Sequence, residues 1–289
     1  MRDGLATEFE THRARLRQLA YRMLGSPSDA DDAVQETWLR LTHADTDAIE
    51  NLPGWLRTVA SRICLDMLRS RDARREDLVG HQIPEDKPAD QPGPEEDAVL
   101  LDSVGRALLV VLDRLDPTER VAFVLHDIFA IPFADIAPVV DRTPSTTKKL
   151  ASRARHRVRG TPTASTQTLN QQRQVISAFL AAARAGDLAA ILTVLAPDVV
   201  RYADPAALPP GAAAEVRGAH DVAEGTVLLA GRAQEAELAL VNGTVGLLVA
   251  PRGQLQFALT FTIEANKITR YDVIADSERI RQLALAVLD

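Results

Sequence analysis

Cysteine, aromatic residues and long apolar runs are scarce in this 289-residue chain. Its one cysteine, Cys64, excludes an internal disulfide and is interpreted as a small buried hydrophobe. Aromatic residues make up 4% of a sequence that is 46% hydrophobic, so its cores must be built mainly from Leu, Val, Ile and Ala. No run of about 18 apolar residues occurs, and the N-terminus lacks a basic-then-apolar signal pattern. We therefore expect a cytoplasmic protein without a membrane partner.

Acidic residues are absent from one segment, 142–160, although the chain has a formal net charge of -7. Acids are concentrated elsewhere, with seven in 28–50 and nine in 76–102. Such segregation predicts separate surfaces for separate partners. The acid-free segment carries seven cations, Arg142, Lys148, Lys149, Arg153, Arg155, Arg157 and Arg159.

Composition divides the chain into three domains and two linkers. Residues 1–75 and 98–160 have helical periodicity. Residues 76–97 are acidic and contain four prolines, which is typical of a linker, and 161–168 form a second, short polar linker. Residues 169–289 begin with helices and continue with strand-like runs, the order expected of an α+β domain. The predicted fold is thus multi-domain, with two all-α domains followed by an α+β domain.

Turn signals organise the C-terminal domain. Asn242-Gly243 between two apolar runs predicts a β-hairpin, and Ala265-Asn266 is a weaker signal of the same kind. The chain is expected to close with a helix over 277–289. The predicted strands are "VVRYA", "AELALV", "VGLLVA", "LQFALTFTI" and "ITRYDVIA".

The acid-free segment belongs to a predicted helix-turn-helix. A first helix over 133–140 leads into an Asp141-Arg142 turn. Thr143 is a favourable N-cap, and Pro144 fits the first position of the second helix. We expect the second helix to enter the DNA major groove, where carboxylates would be repelled. Its inward residues are Thr147, Leu150, Ala151, Ala154 and Val158. Its predicted DNA contacts are Ser145, Thr146, Lys148, Lys149, Arg153 and Arg155.

Two blocks of sequence resemble the extracytoplasmic-function sigma factors of bacterial RNA polymerase, members of the sigma-70 family. "TPSTTKKLASRAR" is similar to their region 4 recognition helix. "DADDAVQETWLRL" and "LPGWLRTVASRICLDMLRSRDARR" are similar to the region 2 helices that bind the polymerase clamp and read the minus-ten element. The resemblance implies core RNA polymerase and promoter DNA, both duplex and melted strand, as partners. It leaves open an anti-sigma protein as a further partner.

The resemblance also assigns roles within region 2. The implied polymerase-binding residues are Asp31, Asp32, Gln35 and Glu36. The implied DNA-binding residues are Arg57, Ser61, Arg62 and Arg69. The loop 43–51 lies where family members capture a flipped base, whereas Trp38 and Trp55 are interpreted as core residues. At Arg62 the commoner family pattern carries Asn, so promoter preference should differ.

The C-terminal domain resembles the SnoaL-like extension of one group of these sigma factors, through pieces such as "GDLAAILTVLAPDV" and "VRGAHDVAEGTVLL". Two motifs of that group are altered, to "ADPAALPPGAAAEV" and "ADSERI". The resemblance implies a cone-shaped fold that tunes sigma activity. The candidate pocket residues are Tyr202, Asp204, His220 and Asp272.

Two other functions fit parts of the sequence. A ligand-sensing DNA-binding regulator would use the helix-turn-helix and a C-terminal pocket, but it would not have region 2. A bifunctional protein would use an acid or base in that pocket for catalysis. We favour the sigma factor, which requires no catalytic residue, metal or cofactor of its own.

Overall fold

The computed structural model describes residues 2–78, 105–209 and 211–288, which form two compact units. The first unit holds residues 2–78 and 112–155, and the second holds 105–111 and 156–288. Residues 105–111 and 156–160, which belong to the predicted segment 98–160, fold here with the C-terminal domain. Most of the predicted acidic linker lies outside the described residues. No described helix is long and apolar enough to cross a membrane.

Three helices open the first unit. Helix α1 (Arg2–Leu24) ends at Gly25, whose φ of 72° reverses the chain. Ser26 then caps α2 (Pro27–His43) by accepting a hydrogen bond from the Asp29 N–H at 3.3 Å. Helix α3 (Leu52–Leu78) is the third. Their shared core contains Phe9, Leu16, Val34, Leu41, Leu56 and Ala60.

The remaining helices of the first unit belong to the predicted helix-turn-helix domain. The chain leaves the second unit within α4 (Arg106–Leu112) and continues into α5 (Pro117–Phe123), which Asp116 caps. A five-residue π-helical turn, Val124–Ile128, follows. Helices α6 (Phe133–Val140) and α7 (Pro144–Arg159) complete the domain. Its fully buried side chains include Val121, Leu125, Ile136, Val140, Ala151 and Ala154.

The second unit is built on a seven-stranded sheet. Helices α8 (Thr166–Ala185) and α9 (Leu188–Val194) precede it and are separated at Gly186, whose φ is 65°. The strand order is β2-β1-β6-β5-β4-β3-β7, with β1 and β6 parallel and the other neighbours antiparallel. The strands are β1 (Leu195–Ala203), β2 (Glu215–Arg217), β3 (Ala236–Val241), β4 (Thr244–Val249), β5 (Phe257–Glu264), β6 (Lys267–Ile274) and β7 (Leu285–Val287). Three short helices complete the unit, α10 (Ala219–Val227), α11 (Ala230–Ala233) and α12 (Ser277–Gln282).

Both predicted hairpins are confirmed, but the predicted closing helix is wrong. Asn242 and Gly243 have φ of 52° and 81°, so the two-residue turn is of the type that matches strand twist. The end of the chain is helical only to Gln282, and β7 then pairs with β3. The edge of β3 would otherwise present unpaired backbone groups, and pairing with β7 satisfies them.

Side chains of β3 and β4 alternate between the two faces of this sheet. Leu240, Val245 and Leu247 lie on the inner face, with the buried residues of α8 and α9. Ala239, Val241 and Leu248 lie on the outer face. Ala107 and Val110 of α4 cover that outer face, together with Ile280 and Leu283 around α12. The predicted α+β architecture is therefore confirmed.

Candidate polymerase and nucleic-acid interfaces

The helix-turn-helix forms as the sequence predicts. Asp141 takes a left-handed conformation, with φ of 54°, and turns the chain after α6. The Thr143 hydroxyl accepts a hydrogen bond from the Thr146 N–H at 3.2 Å, so the predicted N-cap is confirmed. Thr147 is buried, and its hydroxyl donates to the Thr143 carbonyl at 2.9 Å. The cap and the buried face fix which side of α7 faces outward.

The outward side of α7 presents most of the predicted DNA contacts. Ser145, Lys148, Lys149 and Arg153 are exposed. Thr146 is half-buried, with its hydroxyl oxygen 3.0 Å from that of Thr143. No carboxylate interrupts this face, so it can approach phosphates and base edges without repulsion.

Arg155, a predicted DNA contact, is paired with a carboxylate of its own domain. Its Nε donates to Asp127 Oδ1 at 2.7 Å, and this hydrogen bond raises the pKa of the guanidinium. Asp127 belongs to the π-helical turn, 28 residues earlier in the chain. The pair braces α7 against that turn, and the Asp127 carboxylate offsets the Arg155 charge within the domain. The sequence alone could not reveal a partner so distant in the chain.

The arginines of α3 that are predicted to read the minus-ten element differ in whether residues of α6 already contact them. Arg69 is exposed. Arg62 is also exposed, but its Nη2 donates to the Pro138 carbonyl at 2.9 Å. Arg57 Nη2 lies 3.8 Å from Asp135 Oδ2. Both partners belong to α6, so α3 packs on the first helix of the helix-turn-helix in this conformation.

Ser61 does not face solvent, contrary to its predicted DNA contact. Its side chain is fully buried, and its hydroxyl has no hydrogen-bond partner among the described residues. It lies on the apolar face of α3, beside Ala60 and Cys64. A buried hydroxyl of this kind cannot reach DNA in the conformation described here.

The loop between α2 and α3 borders a groove. Asp45, Glu50, Asn51 and Trp55 are among the residues that line it. The Asn51 side chain also accepts a hydrogen bond from the Gly54 N–H at 3.0 Å, which holds the start of α3. Trp55 is half-buried and packs on the first-unit core, as the core interpretation predicts, but one part of it lines this groove. Trp38 packs on Phe9, with ring centroids 5.0 Å apart.

The predicted polymerase-binding residues share the outward side of α2. Asp32 and Gln35 are exposed. Asp31 pairs with Arg17 at 2.6 Å, and Glu36 pairs with Arg40 at 2.9 Å. Sequence reasoning overlooked Leu39, which follows these residues at helical spacing and is 46% exposed. An apolar side chain on an otherwise polar face is the signal that could have identified it.

The four predicted pocket residues do not line the cavity of the second unit. Tyr202 lies beneath the Arg270 guanidinium, 4.2 Å from ring centroid to Cζ, and Asp272 pairs with Arg270 at 2.7 Å. His220 is exposed, with Nε2 3.2 Å from Glu224 Oε1. Tyr202 and Asp272 point away from the cavity because adjacent strand residues alternate between faces. Their neighbours Arg201 and Tyr271 line it instead.

Asp204 holds the end of the sheet together. Its Oδ2 accepts hydrogen bonds from the N–H groups of Ala275 and Asp276, each at 3.0 Å. Its Oδ1 is paired with Arg279. These contacts make Asp204 a structural residue that joins β1 to the segment before α12.

Comparison with known proteins identifies both helical regions. The family model for sigma-70 region 2 matches residues 9–74, and the model for sigma-70 region 4 matches residues 105–158. The first match contains α2 and most of α3, and the second contains all but the last residue of the helix-turn-helix. The helical surfaces described above therefore lie within the segments that sigma factors use for polymerase and promoter binding.

Similarity to individual sigma factors extends through the C-terminal domain. The ECF RNA polymerase sigma factor SigJ of Mycobacterium tuberculosis is 40% identical over 252 residues, covering 84% of this chain and 80% of SigJ. The probable ECF RNA polymerase sigma factor SigI of the same species is 36% identical over 287 residues, covering 97% and 96%. The crystal structure of SigJ aligns over 96% of this chain and 98% of that one, with 33% identity and a TM-score of 0.45. The chain therefore belongs to the extracytoplasmic-function (ECF) sigma factors of bacterial RNA polymerase.

Proposed function

We propose that this sigma factor contacts core polymerase through α2 and promoter DNA through α7 and α3, and that its C-terminal domain restrains region 4 in the free protein. The observation that carries the proposal is that both ends of the region 4 match fold with the C-terminal sheet. Such a factor acts in the cytoplasm with the polymerase and requires no catalytic residue of its own. Restraint by a fused domain also makes a separate anti-sigma protein unnecessary for this step.

The beginning of region 4 is held on the C-terminal sheet by ion pairs and by apolar contacts. Arg106 Nε lies 2.9 Å from Glu235 Oε2, and its Nη1 lies 3.7 Å from Glu237 Oε1. The Ala107 N–H donates to Glu237 Oε2 at 2.9 Å. Ala107 and Val110 are buried against the outer face of the sheet. Residues 105–111 are therefore part of the C-terminal core.

The chain at the end of region 4 packs closely against β7 and the β3–β4 hairpin. Gly160 follows α7 with φ of 63°, and a Cβ there would lie 2.4 Å from the Cβ of Ala286 in β7. The Thr163 N–H then donates to the Gly243 carbonyl of the β3–β4 hairpin at 2.9 Å. These contacts hold the chain on the sheet as it leaves the recognition helix.

Promoter binding by α3 requires a change within the first unit. Arg57 and Arg62 are engaged by α6, and Ser61 is buried. A duplex or melted strand must displace α6 before it can contact this part of α3. We therefore infer that the described conformation is a resting state and that polymerase binding favours its opening.

The polymerase contact is supported by the composition of α2. Asp32, Gln35 and Glu36 provide acceptors at the first half of the helix, and Leu39 adds an exposed apolar group. An acidic face with one apolar residue suits a basic protein surface that also has apolar contacts. Charge reversal at Asp32 should reduce binding to core polymerase in a pull-down, whereas Asp198→Lys, on an exposed residue of the C-terminal domain, should not.

Transcription by the full-length chain tests the restraint. The double variant Glu235→Gln/Glu237→Gln removes both carboxylates that hold Arg106 and leaves the predicted DNA and polymerase contacts intact. We expect promoter-dependent run-off with purified core polymerase to rise several-fold at limiting sigma concentration, because region 4 is freed. The control Glu264→Gln/Glu278→Gln removes the same charge from exposed positions of the domain.

Two outcomes of this experiment have opposite meanings. Higher output from the Glu235→Gln/Glu237→Gln variant, with an unchanged control, supports restraint by the C-terminal domain. Wild-type output from a variant that still folds cooperatively in a thermal melt contradicts it. A melt of each protein is needed because loss of Arg106 pairing also removes stabilising contacts.

A further inference from the structure

The second unit encloses a cavity that the proposed sigma function does not use. It lies between the inner face of the sheet, α8 and the α10–α11 segment, and its volume is about 90 Å³. Its walls are largely apolar and include three aromatic rings. The principal wall residues are Phe179, Leu247, Phe257, Leu259, Tyr271 and Val273. The apolar, aromatic lining of this cavity suits a small apolar molecule.

One cation in this cavity lacks a full set of partners. Arg201 and Tyr271 are Cα register partners on the parallel strands β1 and β6, so their side chains project from the same face. Arg201 Nη2 donates to the Ala213 carbonyl at 2.8 Å. Its Nε–H is buried and has no hydrogen-bond partner among the described residues. A buried, charged donor without an acceptor is unfavourable, and a ligand acceptor would satisfy it.

The other polar groups of the cavity are already engaged with one another. The Thr226 hydroxyl donates to the Val222 carbonyl at 2.8 Å, so its single proton is used. The Tyr271 hydroxyl, 3.1 Å from Thr226 Oγ1, must then be the donor in that pair. Burial raises the pKa of Tyr271, while the Thr226 hydrogen bond and the nearby Arg201 charge oppose the rise. Tyr271 is thus a neutral phenol beside the Arg201 cation.

A second arginine stands at the rim. Arg232 Nη1 donates to the Ala207 carbonyl at 2.8 Å, and its guanidinium lies 5.0 Å from the Phe257 ring centroid. Leu229 of the same segment lines the cavity, and its neighbour Leu228 is 85% exposed. The rim therefore combines positive charge with apolar surface. It would attract an anionic, apolar molecule to the mouth.

The described lining contains two arginines and no Asp, Glu or His. Excess positive charge without a carboxylate favours an anion, and the apolar walls favour a ligand with a hydrocarbon or aromatic body. We propose that this cavity is a binding site for a small apolar monocarboxylate, whose carboxylate accepts a hydrogen bond from Arg201 Nε.

Calorimetry with the full-length protein and three probes tests this site. Octanoate supplies the carboxylate, octanol is its neutral counterpart and octylamine is its cationic counterpart. We expect saturable binding of octanoate at one site per chain, with octanol at least about tenfold weaker because it cannot form the charge-assisted hydrogen bond. Octylamine should bind more weakly still, since its charge is repelled by Arg201.

Two variants connect that binding to the cavity. Arg201→Met keeps much of the side-chain volume and should remove the preference for octanoate over octanol. Leu229→Trp fills the cavity from the rim and should abolish binding of both, so the test does not depend on one variant folding. Arg217→Met, at an exposed residue outside the lining, is the control and should bind as the wild type does.

The proposal fails if octanoate shows no saturable binding or binds no better than octanol. It also fails if the Arg201→Met protein retains the wild-type preference or the Leu229→Trp protein retains wild-type binding. These measurements contain no polymerase or DNA. Their result is therefore independent of the transcription experiment on Glu235 and Glu237.

Discussion

Single residues divide into those whose role is set by local sequence and those whose role depends on a distant partner. Thr143, Pro144 and Thr147 behave as the sequence predicts, because capping and helix periodicity act over three or four residues. Arg155 depends on a distant partner, because Asp127 lies 28 residues earlier in the chain. Ser61 is buried on the apolar face of its own helix. The same limit applies to Tyr202 and Asp272, whose strand register decides which face they occupy.

Cys64 provides a test of packing at this scale. It is fully buried, and burial raises the pKa of its thiol to about 12, despite the opposing charges of Arg120 and Arg71. We expect iodoacetamide at pH 8 to modify it roughly a thousandfold more slowly in the native protein than in urea, because only the thiolate reacts. Mass spectrometry measures the rate without ambiguity, since the chain has one cysteine. A native rate equal to that in urea would show that α3 is not packed as described.

Asp204 should make the stability of the folded protein depend on pH. Burial raises the pKa of its carboxyl, but hydrogen bonds from the Asp276 and Ala275 N–H groups and the charge of Arg279 outweigh this and lower the pKa overall. A lowered folded-state pKa stabilises the protein above the unfolded value of about 3.9. That stabilisation is lost as the pH falls through the folded-state value.

We therefore expect Asp204→Asn to reduce the free energy of unfolding by about 1–3 kcal/mol at pH 7. The difference from wild type should shrink below about pH 4. Urea unfolding across this pH range measures it, with the exposed Asp198→Asn as the control. A difference that does not change with pH would contradict the role of the ionised carboxylate.

Helices and hairpins can be predicted from the sequence where residues close together in the chain determine them. The hairpins at Asn242-Gly243 and Ala265-Asn266 formed because these residues tolerate positive φ. The short strands β2 and β7 were not predicted. A three-residue strand has too little alternation to recognise, and β7 forms because β3 offers it an edge. The end of the chain therefore reads as helix locally and becomes a strand through tertiary pairing.

Gly160 tests the contact between the end of α7 and β7. Gly160→Ala adds a Cβ 2.4 Å from the Cβ of Ala286 at a positive φ. Gly186→Ala is the matched control, because Gly186 also follows a helix with a positive φ, 65°, and its added Cβ would meet only Val227 Cγ1 at 3.9 Å, an ordinary contact distance. We expect the Gly160 variant to unfold at lower temperature than the Gly186 variant, by more than the cost of the backbone alone. Equal melting temperatures would exclude the close approach.

The exposed lysines of α7 should make the affinity for promoter DNA depend on salt concentration. Neutralising Lys148 and Lys149 to Gln should weaken binding of the polymerase–sigma complex to the upstream promoter element. The slope of log affinity against log salt should fall by roughly two, one for each lost phosphate contact. Arg155→Gln should change thermal stability more than this slope, because Arg155 is paired with Asp127. Fluorescence anisotropy over a salt series measures both, and an unchanged slope in the double variant would place the groove contact elsewhere.

At the scale of the whole molecule, the order of domains could be predicted, but not which residues of the helical segments pack on the C-terminal sheet. Composition separates helical segments from the strand-rich C-terminal part, and the family motifs confirm the order. Composition cannot show that residues 105–111 and 156–163 belong to the C-terminal core. Ala107 and Val110 are small apolar residues on an ordinary helix, and their partners lie more than a hundred residues away on β3 and β4.

Promoter-dependent transcription with purified core polymerase tests the central claim most directly. The template would be a library of genomic promoter fragments, and sequencing of transcript 5′ ends would identify the promoters used. Wild-type protein and Lys148→Arg/Lys149→Arg should both give transcripts that share an upstream element, whereas Lys148→Glu/Lys149→Glu should reduce them at least about tenfold. The account is contradicted if the wild-type protein gives no promoter-dependent transcript, or if the charge-reversed protein transcribes the same promoters equally well.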